Sequence, residues 1–181
     1  MMKCTINLEK MNTQKKIIPS KDILTAVNGL GQVITSHCNK HGGGIVFVCV
    51  MKGGFMFFSD LVKKINYPIE LDFIKCSSYD GQVQKDIQIH YDVETNIQDK
   101  TVFIIDDILD SGETMKCLID HFKLLGAKNV ETVSVVYKEN VDFPNHLFIY
   151  KQPENENPWY IGYGMDDYKG YQRNLDTIYT L

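Results

Sequence analysis

Apolar residues recur at helical intervals in three stretches of the chain. Over 20–38, Ile23, Leu24, Val27, Leu30 and Ile34 share one face, with Ser20 as an expected N-cap and Asp22 in the first turn. Over 55–65 the face is Phe55, Phe58, Leu61, Val62 and Ile65. Over 111–125 it is Met115, Leu118, Ile119, Phe122 and Leu125, ended by Gly126. Between these helices lie runs at 45–50, 69–74, 102–105 and 130–137 that read as strands; 45–50, β-branched and without polar alternation, predicts a strand covered on both faces, and 102–105 another buried strand. Shorter runs at 147–150 and 159–163 follow, separated by the breaker-rich stretch 152–158.

Strands alternating with helices imply right-handed crossovers and a mainly parallel sheet flanked by helices, an α/β fold that binds ligands at the carboxyl ends of its strands. One domain over 1–181 is expected, with its core at about 40–150. The polar, turn-rich stretch 77–98 is too long for a structureless connector, so a functional loop or β-hairpin is expected there.

Composition narrows the class. At 181 residues the chain can bury one sizeable core. Its longest apolar runs fall short of the roughly 20 residues a membrane-spanning helix needs. The first residues, Met1-Met2-Lys3-Cys4-Thr5, lead into polar sequence without the apolar stretch of a secretory signal. Five cysteines, odd in number and without Cys-x-x-Cys, fit a reducing cytosol. A cytoplasmic protein without a membrane partner is expected. A net charge of −4 counts against a large nucleic-acid footprint, although a few local groups can still hold a small anion.

The chemistry concentrates at Val102-Phe103-Ile104-Ile105-Asp106-Asp107-Ile108-Leu109-Asp110-Ser111-Gly112-Glu113-Thr114. An apolar strand runs into two adjacent acids, then a third acid, then Ser-Gly-x-Thr and a helix. The unpaired amides of a helix start, with the hydroxyls of Ser111 and Thr114, make a phosphate cradle, and Gly112 lets backbone come close. Acids beside phosphate make sense where they accept hydrogen bonds from sugar hydroxyls or approach a bridging magnesium, which points to a sugar phosphate. Neither G-x-x-x-x-G-K-[ST] nor a full G-x-G-x-x-G is present, which disfavours an ATPase or a dinucleotide enzyme. Taken alone, Asp110 could be a helix cap and Asp106 and Asp107 a solvated strand end. Their joint order carries the functional reading. His37, Cys38 and His41 have metal-like spacing but no accompanying acid, and read as a polar helix end.

This segment resembles the phosphoribosyl-pyrophosphate signature of the type I phosphoribosyltransferases. Over about 45–181 the resemblance narrows, in order and spacing, to the purine-salvage members of that family. It implies their fold, with a small hood built from about 1–20 and 151–181, and transfer of the 5-phosphoribosyl group from phosphoribosyl pyrophosphate to hypoxanthine, guanine or both, with Mg2+. It further implies a homo-oligomer, a dimer or tetramer, and small-molecule substrates.

Residue by residue, the resemblance makes Asp110 the group that takes the purine N7 proton. Ser111, Gly112, Glu113 and Thr114 would wrap the 5-phosphate, and Asp106 and Asp107 would face the ribose hydroxyls or the metal. Lys52 and Gly53, in the turn Met51-Lys52-Gly53-Gly54, match the pyrophosphate loop, in which the family often carries a cis peptide before the lysine. Ser78 and Tyr79 match its lid pair. Lys138 matches the donor to the purine 6-oxo group, Trp159 the stacking aromatic, and Tyr160 the neighbour whose backbone meets the base. Asp166 or Asp167 would reach the metal, and Arg173, the chain's only arginine, the pyrophosphate. One residue more than the family pattern separates the glycine pair Gly162 and Gly164 from Arg173, so counting forward selects Asp166 and counting back Asp167; Asp166 is preferred.

Two other readings stand beside this one. A regulatory protein that kept the fold to bind nucleic acid or a nucleotide is opposed by the acidic chain and by the joint presence of Asp110, Lys138 and Arg173. The same chemistry on xanthine, adenine or a pyrimidine is opposed by Lys138 and Trp159, since an ammonium has only donors and suits a 6-oxo acceptor.

Overall fold

In a computed structural model, residues 15–78, 87–138, 141–153 and 156–181 are described. The elements run β1 (Lys15–Ile18), α1 (Ser20–His41), β2 (Ile45–Met51), α2 (Phe55–Val62), β3 (Glu70–Ser78), β4 (Ile87–Tyr91), β5 (Thr101–Leu109), α3 (Glu113–Leu124), β6 (Asn129–Lys138), β7 (Leu147–Gln152), β8 (Tyr160–Ile161) and β9 (Ile178–Thr180). The main sheet has the order β4-β3-β2-β5-β6-β7. All its pairs are parallel except β3 with β4, which pair antiparallel; β4 and the last two residues of β3 fall in the stretch 77–98 expected to be a functional loop or hairpin.

The absence of polar alternation in the central strands has a direct cause. Ile45, Phe47 and Cys49 of β2 and Phe103 and Ile105 of β5 pack into one core with α1 and α2, where Phe47 and Phe103 stack at 4.8 Å. Their neighbours Val46, Val48, Val50, Val102 and Ile104 point to the other face and pack with Met115, Leu118 and Phe122 of α3. Both faces of these strands are therefore covered.

Several expected boundaries shift. Strand β5 runs on through Asp106 and Asp107 to Leu109, because pairing with β6 continues to Ile108↔Val136 and Leu109↔Tyr137. Helix α3 starts at Glu113, not at 111, because Gly112 has φ 78°, outside helical space. Pro19, not Ser20, is the N-cap of α1, and α2 stops at Val62. Leu24, Phe55 and Leu125, expected on buried faces, are exposed, while Phe57 is fully buried.

The two ends of the described chain meet. Strands β1, β9 and β8 form a separate antiparallel sheet of three, a pairing of distant segments that the hydrophobic pattern did not predict. Ile18, Tyr160 and Ile178 join it to the core that α1 and α2 cover, and nearby Ser20 N–H donates to Thr177 Oγ1 at 3.3 Å and Tyr163 OH to Asp60 Oδ2 of α2 at 3.0 Å. Strand β8 is only two residues long because Gly162 (φ 87°), Tyr163 (φ 50°) and Gly164 (φ 102°) turn the chain at once.

Candidate active site

The carboxyl end of β5 delivers its acids in sequence. Asp106 is 8% exposed, and its Oδ1 accepts the Asp107 N–H at 2.8 Å, while Asp107 Oδ1 accepts the Ile108 N–H at 2.8 Å. Burial, followed by the Asp107 carboxylate, raises the Asp106 carboxyl well above the usual carboxylate range. Beyond them, Asp106, Ile108, Asp110, Ser111, Gly112 and Thr114 line a cavity of about 70 Å³ at the start of α3. This is where the predicted phosphate cradle belongs. Glu113 does not line it, and begins α3 with an exposed side chain.

A second cavity, of about 240 Å³, shares Ile108 and Asp110 with the first and adds Asp107, Lys138, Trp159, Tyr160 and Asp166. The Lys138 ammonium lies 2.5 Å from Asp110 Oδ1 and donates to Asn157 Oδ1 at 3.0 Å. Trp159 fixes its indole edge by donating from Nε1 to the Asp166 carbonyl at 2.7 Å. A planar base has here an aromatic face, a donor, a carboxylate and the apolar Ile108 in one space. A wider outer cavity of about 720 Å³ adds Asn157 and Tyr168.

The turn after β2 is locked between the acids and the C-terminal segment. Its Met51–Lys52 peptide is cis, at the position the resemblance pointed to. A Cβ on Gly53 would lie 1.7 Å from Asp107 Oδ2, and one on Gly164 would lie 2.0 Å from the Gly53 carbonyl. At 164, against backbone, only glycine fits, whereas a side chain at 53 would have to displace the Asp107 carboxylate. The Lys52 side chain is exposed and lines none of the three cavities.

Arg173 and the two candidate acids separate clearly. Arg173 NH2 pairs with Asp166 Oδ2 at 2.7 Å and NH1 donates to the Gly164 carbonyl at 2.6 Å, so this guanidinium holds the cavity-lining acid and the glycine turn together. Asp167 turns away into its own loop: Oδ1 accepts the N–H groups of Lys169 and Tyr171, both at 2.9 Å, and Oδ2 accepts Gln172 Nε2 at 3.3 Å. The Tyr171 amide first, outweighing the cost of desolvation, lowers its carboxyl. Of the two counts, the forward one selects the acid that lines the cavity.

Ser78 ends β3 with its backbone paired to Ile87, and Tyr79 lies outside the described residues. Tyr160 is buried in β8 against Tyr150. Several residues lining these cavities were not anticipated, among them Pro158 and Met165 of the inner one and Asn157 and Tyr168 of the outer. Asn157 and Tyr168 sit in polar, breaker-rich sequence, where no local signal separates them from ordinary loop residues; only tertiary contact does. Among the described residues no three His, Cys, Asp or Glu side chains converge on a possible metal position.

A profile of the phosphoribosyl transferase domain matches residues 14–167. The chain is 35% identical over 176 residues to the hypoxanthine-guanine phosphoribosyltransferase of Streptococcus thermophilus, covering 94% of each chain. A crystal structure of a hypoxanthine phosphoribosyltransferase from Staphylococcus aureus superposes with a TM-score of 0.86 at 31% identity, covering 98% of this chain and 96% of that one. The hypoxanthine-guanine phosphoribosyltransferase of Bacillus anthracis, crystallised with a HEPES molecule in its active site, gives 0.83 at 30% identity over 92% and 98%. With a cradle at the β5–α3 junction, a lysine-carboxylate pair beside a stacking aromatic, and these relatives over nearly its whole length, the chain belongs to the phosphoribosyl transferase family, among its hypoxanthine-guanine phosphoribosyltransferases.

Proposed function

We propose that the protein salvages purines by moving the 5-phosphoribosyl group of phosphoribosyl pyrophosphate onto hypoxanthine or guanine, giving the nucleoside monophosphate and pyrophosphate. The observation that carries this is the junction of two cavities at Ile108 and Asp110, one lined by the cradle residues and the other by Lys138 and Trp159. A sugar phosphate and a base seated in them would bring the anomeric carbon to the junction.

In this reading Ser111, Gly112 and Thr114 hold the 5-phosphate through backbone amides and hydroxyls. Asp106 and Asp107 accept hydrogen bonds from the ribose hydroxyls. Trp159 and Ile108 hold the purine plane, and Lys138 donates to its 6-oxo group. As the bond from the anomeric carbon to pyrophosphate breaks and that to the purine nitrogen forms, Asp110 accepts the proton the purine gives up at N7. Lys138 can change partner from Asp110 to the base oxygen, which frees the carboxylate for that proton. Lys52 and Gly53 would meet the pyrophosphate, with Arg173 acting there directly or through Asp166.

The residues fit magnesium as a substrate-borne ion: Asp107 and Asp166 line one cavity, and substrate oxygens would complete a shell that the described residues alone do not build. When bound, it would neutralise charge on the departing pyrophosphate. A cytoplasmic location is supported by the free thiols of Cys38, Cys49, Cys76 and Cys117. A homo-oligomer is supported by the exposed apolar residues Leu71 and Phe73 of β3, Phe73 touching Phe58 of α2, and Phe55 at the start of that helix.

The test is nucleotide formation by the purified protein with phosphoribosyl pyrophosphate and magnesium, offering hypoxanthine, guanine, xanthine, adenine and uracil separately. Product from hypoxanthine or guanine is expected. Product from adenine or uracil alone would overturn the assignment of Lys138, and none from any base would overturn the enzyme.

A further inference from the structure

Trp159, the chain's one tryptophan, is 44% exposed, so little surrounding core fixes its plane. Two contacts do. Its Nε1–H donates to the Asp166 carbonyl at 2.7 Å, and its ring lies 4.6 Å, centroid to centroid, from that of Tyr168 with the planes 33° apart. Tyr168 lines the wide outer cavity but not the smaller one shared by Ile108, Asp110, Lys138 and Trp159. The phenol therefore meets the indole on the side of the outer cavity, beside the smaller space that adds Ile108.

The loop that carries Tyr168 is closed on itself. Asp167 N–H donates to the Tyr171 carbonyl and Gly170 N–H to the Asp167 carbonyl, both at 3.0 Å, and Gly170 takes φ 85°. The Asp167 carboxylate binds the amides of Lys169 and Tyr171 across the same turn. Tyr168 is thus presented by a built turn, although its own ring is 74% exposed. An exposed ring on a cross-braced loop, spent on one other ring beside the cavity, has no part in the core.

We propose that Tyr168 is a positioning residue of the purine site: it backs the indole of Trp159 and thereby sets the affinity for the base. The role rests on the purine-site reading above. An aromatic pair of this kind corresponds to about two- to tenfold in affinity.

The experiment compares unmodified protein with Tyr168→Ala, Tyr168→Leu and Tyr168→Phe. Initial rates are measured against hypoxanthine at saturating phosphoribosyl pyrophosphate, then the reverse, and Trp159 emission is titrated with the product nucleotide IMP. Tyr168→Ala and Tyr168→Leu are expected to raise the KM for base about two- to tenfold, with smaller changes in kcat and in the KM for phosphoribosyl pyrophosphate, and to alter Trp159 emission before ligand is added. Tyr168→Phe restores the ring and is expected to restore the base KM. An unchanged base KM in both ring-less variants, or an equal rise in both KM values with a lowered melting temperature, overturns the role. Turnover by unmodified protein alongside either result leaves the purine-site reading standing. No turnover by unmodified protein with any base removes that reading and this role together.

Discussion

The Lys138 ammonium lies 2.5 Å from the Asp110 carboxylate, and Asn157 takes a second of its protons at 3.0 Å. The group assigned to recognise the base is thus paired with the group assigned to take its proton, and a bound 6-oxopurine would compete for both. Asp110→Asn is expected to lower kcat by about 10²- to 10⁴-fold, the usual span for a general base, with phosphoribosyl pyrophosphate binding largely intact. Lys138→Ala should instead act mainly on the KM for base. Steady-state kinetics with each substrate varied in turn separates the two; unchanged turnover in Asp110→Asn would remove Asp110 from the chemistry.

Gly164 couples the C-terminal segment to the turn after β2, because its α-carbon faces the Gly53 carbonyl with no room for a methyl group. Gly164→Ala adds strain at φ 102° to that collision. A destabilisation of about 1–3 kcal/mol is expected, a fall of about 2–4 °C in Tm for each, with a raised KM for phosphoribosyl pyrophosphate. Thermal melts beside kinetics check both; a full-activity variant with unchanged Tm would show that the contact yields freely.

Removing magnesium is expected to abolish nucleotide formation without lowering Tm. The acids at the site do not form a closed cage among the described residues, so under the proposed function the ion would serve the reaction and not folding. Melting and turnover measured with and without EDTA decide the point. A drop in Tm of several degrees on chelation would indicate a structural metal.

His146 lies in a buried polar pocket, with Nδ1 2.8 Å from Thr132 Oγ1 and Nε2 2.8 Å from Ser134 Oγ. Ser134 Oγ donates to the Val136 carbonyl, so it accepts from Nε2–H, and Nδ1 takes the Thr132 proton. The imidazole is neutral, and burial lowers its pKa from 6.5 to about 4. As pH falls the unfolded chain therefore takes up this proton first. The stability it contributes is complete above about pH 6.5, shrinks between 6.5 and 4, and is lost below, on the order of 3 kcal/mol in all. Urea titrations at pH 7 and pH 5 should show the loss, and His146→Gln should flatten that slope; equal slopes would refute it.

Much of this architecture is carried by local pattern. The apolar runs Ile45–Val50 of β2 and Val102–Ile105 of β5 announced strands covered on both faces, since a polar residue facing either core needs a buried partner. The cavity at 110–114 was open to prediction because a strand, an acid and Ser-Gly-x-Thr are contiguous in the chain. Where reading failed locally, a neighbour had overridden propensity: pairing with β6 pulled Asp106 and Asp107 into β5, and the φ of Gly112 delayed α3.

What the sequence by itself determined was the alternating fold, the acidic strand end and the residue types able to hold a sugar phosphate, each set by spacing within one segment. What only the tertiary structure decided was which side chains from separate segments share a space: Lys138 with Asp110 and Asn157, Gly164 against Gly53, Asp166 inward and Asp167 outward, Tyr168 on Trp159. The physical reason is that propensity and periodicity act over a few residues, whereas the packing that closes a site brings together groups whose separation along the chain has no bearing on their separation in space.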